Sequence, residues 1–115
     1  MYTIYHNPRC SKSRQTLELL GNHGIEPEII LYLDNPPDTG TLRNLLTKLG
    51  MSPRQLLRRS EEEFRTLGLA DDALSDEDLL AARAAHPRLI ERPIVVHGNR
   101  AILGRPPENV LDLVS

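Results

Sequence analysis

The chain of 115 residues is short of the groups from which small proteins build cross-links and aromatic cores: it has one Cys, no Trp, one Phe and three Tyr. A single Cys excludes an internal disulfide framework and fits a reducing compartment. It also excludes a thiolate metal cage, and His6, His23, His86 and His97 show no ligand spacing, so no metal is expected. With so few aromatics the core has to be aliphatic. An excess of one charge is lacking too, because 14 Lys and Arg against 16 Asp and Glu leave a net charge of -2, and no basic field argues for nucleic acid. No apolar run reaches membrane length, and Met1-Tyr2-Thr3-Ile4-Tyr5 is not a basic segment leading into an apolar one. A soluble, cytoplasmic, monomeric protein is expected, with one domain over residues 1–115, a length that supports a real core.

What the chain does have is concentrated around its one thiol. Tyr2-Thr3-Ile4-Tyr5 alternates as a short strand does, and Thr16-Leu17-Glu18-Leu19-Leu20 carries apolar groups at helical spacing. Cys10 therefore falls at a strand-to-helix turn, with Pro8 stopping the strand. Free N–H groups at a helix start and the positive end of its dipole favour an anion there, and Arg9, Lys12 and Arg14 add positive charge. A packing cysteine would not normally lie between Arg9 and Lys12, so a reactive thiolate is the better reading. The motif Cys10-Ser11-Lys12-Ser13 has no second thiol. Any redox cycle must be completed by an external thiol or a second copy of the protein, while the Ser13 hydroxyl can donate to a sulfur or an oxyanion.

Further along, the first helix should close near Asn22-His23-Gly24, and Ile25 to Tyr32 reads as a second strand, giving a βαβ unit with parallel strands. Asp34-Asn35-Pro36-Pro37-Asp38 breaks the pattern. A helical insert of about 38–89 follows, with a stripe of Leu42, Leu45, Leu46 and Leu49 ending at Gly50, a brief helix from Pro53 to Arg58, and a third from Glu61 to Leu67. Ser75-Asp76-Glu77-Asp78 resembles a capping box opening a fourth helix through Leu79, Leu80 and Ala82. Arg92 to Val96 is a third strand, His97-Gly98-Asn99 a turn, Arg100 to Leu103 an antiparallel fourth strand, and Arg105-Pro106-Pro107-Glu108 a helix start. The order implies an α/β, thioredoxin-like fold: a mixed four-stranded sheet with a helical insertion between strand 2 and strand 3.

Several separated pieces then carry a family resemblance: Tyr5-His6-Asn7-Pro8, Cys10, Ser13-Arg14, Leu31-Tyr32-Leu33, Leu56-Leu57-Arg58, Glu91-Arg92-Pro93-Ile94-Val95-Val96 and Gly104-Arg105-Pro106. In that order they resemble the glutaredoxin-coupled arsenate reductase family (ArsC type). The resemblance implies that Cys10 is the nucleophile, that Arg58, Arg92 and Arg105 bind arsenate or a similar oxyanion, and that His6, Ser13 and Arg14 support the thiolate. It implies a cis bond between Arg92 and Pro93, no bound cofactor, glutathione as co-substrate and glutaredoxin as partner. Guanidinium forks suit a tetrahedral oxyanion better than lysine point charges do. Family members resemble Ala-Cys-Gly-Thr-Ser-Arg around the thiol, whereas this chain has two further cations, Arg9 and Lys12. A general glutathione-linked thiol oxidoreductase and a redox-sensing regulatory adaptor are the alternatives. A low-molecular-weight phosphatase is disfavoured, because its Cys-x5-Arg loop would need Arg where Thr16 stands.

Overall fold

Pro8 and Pro27 set the lengths of the first two strands. In the computed structural model, which describes residues 2–54, 62–69, 71, 73–90 and 93–114, the chain runs β1 (Tyr2–His6), α1 (Ser11–Asn22) and β2 (Glu28–Leu31). It continues through α2 (Thr39–Leu49), α3 (Glu62–Thr66), α4 (Asp76–Ala85), β3 (Ile94–His97) and β4 (Arg100–Leu103), with 3₁₀ helices at Pro87–Leu89 and Pro107–Leu113. The expected second strand is shorter than the apolar run Ile25 to Tyr32. Gly24 takes φ +74, and the Ile25 N–H donates to Leu20 O at 3.0 Å, closing α1 rather than joining the sheet. Pro27 has no donor, and pairing begins at Glu28.

The mixed sheet has the order β2-β1-β3-β4, with β1 parallel to β2 and antiparallel to β3, and β3 antiparallel to β4. This is the expected fold class. Gly98, at φ +62, and Asn99 form the two-residue loop of the β3-β4 hairpin, in which His97 pairs with Arg100. His97 is half-buried and stacks on Tyr2 with ring centroids 4.0 Å apart. The closing helix is 3₁₀ rather than α, with Pro107 at its start.

The chain divides into two compact units, residues 1–35 with 92–115, and residues 36–91. In the sheet unit Ile4, Leu20, Val95, Val110 and Leu113 form an aliphatic core, and α1 lies against the 3₁₀ helix Pro107–Leu113. In the helical unit α2 and α4 pack together, and Phe64, Leu69, Leu79 and Leu89 form a second core. Leu42, Leu45 and Leu46 are buried as the leucine stripe requires. Asp38 caps α2 by accepting from Thr41 N–H at 2.7 Å, which holds its carboxyl below the usual range, and Gly50 ends the helix at φ +68. Ser75 and Asp78 form the reciprocal capping box of α4. The brief helix expected from Pro53 to Arg58 lies largely outside the described residues.

Candidate active site

Alternation along β1 puts Ile4 and His6 on one face of the sheet, the face that α1 covers. On α1 the buried positions are Ser13, Thr16 and Leu20, one stripe at spacings of three and four. Its far end, Leu20, enters the core with Ile4. Its near end is polar, and His6 meets Ser13 there: His6 Nδ1 lies 2.6 Å from Ser13 Oγ, and the Asn7 N–H donates to the same oxygen at 3.1 Å. Both side chains are buried. Burial, and next the positive charge of Arg14, push the His6 pKa below its ordinary value, so the ring is neutral at neutral pH.

Cys10 is the N-cap of α1, with extended backbone at φ -95 and ψ 123, and its thiol is half-buried. The turn before it is tied internally. The Cys10 N–H donates to Asn7 O at 3.0 Å, and the Arg9 N–H donates to Asn7 Oδ1 at 3.0 Å. Arg14 Nη1 donates to Pro8 O at 2.8 Å, so that guanidinium braces the turn. The N–H groups of Ser11, Lys12 and Ser13 open the helix, and its first turn holds no acidic residue. A half-exposed sulfur at this position is placed to carry negative charge and to attack an electrophile from solvent.

A second strand end joins this corner. The Gly104 N–H donates to Pro93 O at 2.9 Å, and Gly104 lies directly against Thr16 of α1. A β-carbon at Gly104 would stand 2.5 Å from Thr16 Oγ1 and 2.8 Å from Pro93 Cγ, so the close approach depends on its absence. Thr16 Oγ1 donates to Lys12 O at 2.8 Å and reaches Gly104 O at 3.4 Å. The residue after Gly104 is Arg105, which is exposed, and the bond Arg105-Pro106 is cis. Of the residues expected in the site, Cys10, Ser13 and Arg14 thus stand at the turn and first helical turn that follow His6, while Pro93 is bonded to Gly104, which precedes Arg105 and lies against the same helix. Arg58 and Arg92 lie outside the described residues, and so does the expected cis bond at Arg92-Pro93. Asn7 and Gly104 stand in the matching pieces and Thr16 in the helical run, but none of the three was given a role in the site from the sequence. For Thr16 the signal was its spacing of three from Ser13 and four from Leu20.

Among the described residues no three His, Cys, Asp or Glu side chains converge as a metal site, and no helix is long and apolar enough to cross a membrane. The model of the ArsC family matches residues 5–113. The Escherichia coli (strain K12) protein YfgD, itself described as uncharacterized, is 56% identical over 112 residues, covering 96% of this chain and 94% of its own. An arsenate reductase of Escherichia coli is 50% identical over 112 residues, which is 97% of this chain and 79% of that protein. A putative arsenate reductase from Yersinia pestis superposes with a TM-score of 0.94 at 53% identity, covering 97% of this chain and 99% of that one. A match through both compact units, with about half of all residues identical, leaves one assignment: the chain belongs to the ArsC family.

Proposed function

We propose that this protein is an arsenate reductase that works as one domain in the cytoplasm, with Cys10 as nucleophile, glutathione as co-substrate and glutaredoxin as the final reductant. The observation that carries the reading is the chain's one thiol, half-exposed at the N-cap of α1 beside the buried His6-Ser13 pair. The ArsC family match and the relatives named arsenate reductase support the substrate. The Cys10 thiolate attacks arsenic and an arsenate oxygen leaves as water, giving a sulfur-arsenic(V) bond. The glutathione thiol then displaces a second oxygen as water. A glutaredoxin thiolate attacks the glutathione sulfur, forming a mixed disulfide, and the bond between that sulfur and arsenic breaks with its electron pair left on arsenic, which becomes arsenic(III) still bound to Cys10. Hydrolysis releases arsenite and returns Cys10.

Each residue has a stated part in this reading. The first-turn N–H groups of α1 and the guanidiniums of Arg58, Arg92 and Arg105 hold the oxyanion's charge. His6, whose Nδ1 lies 2.6 Å from Ser13 Oγ, fixes Ser13, and in this reading the two support the thiolate. Arg14 braces the turn through Pro8, and Pro93 holds Gly104 through its carbonyl. Arsenate-dependent NADPH oxidation, with glutathione, glutaredoxin and glutathione reductase supplied, tests the scheme. Cys10→Ser abolishes turnover while the fold is kept, and Arg105→Ala raises KM for arsenate by about tenfold or more, as expected for loss of a charge-assisted contact of ~1.5–3 kcal/mol. Undiminished turnover in Cys10→Ser contradicts the mechanism.

A further inference from the structure

The cations around Cys10 are not equivalent. Arg14 spends its guanidinium on Pro8 O, inside the turn. Arg9 and Lys12 are both exposed, and among the described residues neither side chain has a hydrogen-bond or ion-pair partner. Arg9 immediately precedes the thiol, and its backbone is fixed by Asn7 Oδ1. Lys12 follows the thiol by two residues on the first turn of α1, where its carbonyl is held by Thr16. Their backbones are thus each held by a hydrogen bond, while their charges are unpaired among the described residues. No acidic side chain lies in the first turn of α1 to neutralise them. Two unpaired cations at the helix end that repels cations oppose local helix stability, so a structural reason for them is lacking.

Resting on the reading of Cys10 as the nucleophile, we propose that Arg9 and Lys12 dock the carboxylates of the thiol co-substrate, selecting a small thiol of net negative charge for attack at Cys10. Glutathione, with two carboxylates and one ammonium, has that chemistry. In that reading the oxyanion takes the helix N-terminus in the first step and the attacking thiol arrives from solvent, to which Arg9 and Lys12, one residue before and two after the half-buried Cys10, are both exposed. Charges on flexible stems at a mouth act by raising the local concentration of the opposite charge, an effect screened over about 8–10 Å at ordinary salt.

The test reads Cys10 alone and needs no arsenate, so it succeeds or fails independently of the substrate assignment. Oxidised glutathione, an anion, and cystamine, a cation, each exchange with the Cys10 thiolate. One sulfur-sulfur bond forms to Cys10, the old one breaks, and a thiolate leaves. The two rate constants are measured at low salt by intact mass for wild type, Arg9→Gln/Lys12→Gln and Arg9→Glu/Lys12→Glu. The ratio of the glutathione rate to the cystamine rate is expected to fall about tenfold in the neutral variant and further in the reversed one. Raising salt moves the wild-type ratio toward that of the neutral variant. Using a ratio removes any change in the thiol's own reactivity. An unchanged ratio, or equal slowing with both disulfides, overturns the proposal, because the cations would then tune the sulfur without recognising its partner.

Discussion

His6 and Arg83 show how burial assigns opposite consequences to two basic side chains. His6 is buried with its ring against Ser13, and its pKa is lowered by desolvation first and by Arg14 second. The unfolded chain therefore takes up a proton near pH 6.5 that the folded chain refuses, so the stability due to neutral His6 is complete above about 6.5 and is lost as pH falls through the lowered folded value. Thermal midpoints between pH 7.5 and 5 should fall more steeply for wild type than for His6→Asn, and parallel curves would show that His6 is not the titrating group. Arg83 lies on the buried face of α4 with Leu79 and Leu80, and among the described residues its three side-chain nitrogens have no hydrogen-bond partner. Burial alone pulls its pKa down to about 10. A buried, unbonded guanidinium opposes folding, and Arg83→Met is expected to stabilise the protein by ~1–4 kcal/mol, read as a higher urea midpoint. A lower midpoint would show that the charge is compensated.

At the scale of the elements, the parts with local signals were legible and the parts set by competition were not. The capping box of α4 was readable because Ser75 and Asp78 stand three apart before an apolar run, and both bonds form, at 3.1 and 3.0 Å. Ser75→Ala should cost about 1 kcal/mol in urea unfolding at unchanged m, with Ser75→Asn recovering most of it. No loss would mean that α4 is held by packing alone. The start of β2 was not readable from hydrophobicity, since Ile25 to Tyr32 is one β-forming run broken only by Glu26, Pro27 and Glu28. What decided it was which partner the Ile25 N–H takes, and it takes Leu20. Arg83 escaped notice for the opposite reason: its spacing from Leu79 and Leu80 marks the buried face, but arginine is so commonly a surface residue that spacing gives way to residue type.

Across the whole molecule, the sheet order follows from connection rules: a βαβ crossover makes β1 and β2 parallel, and a two-residue loop makes β3 and β4 antiparallel. The candidate site was legible where its members are neighbours in sequence, as Cys10, Ser13 and Arg14 are. It was not legible where distant backbone supplies the geometry. Nothing in the residue type of Gly104 announces that it meets both Pro93 and Thr16, contacts set by the close approach of a strand end to α1. Reduction of arsenate at Cys10 is the central claim, and speciation of the arsenic product tests it most directly. With glutathione, glutaredoxin and limiting NADPH, the account predicts one arsenite formed per NADPH consumed by the wild-type protein and none by Cys10→Ser. NADPH consumption without arsenite, or arsenite formed equally by Cys10→Ser, would contradict it.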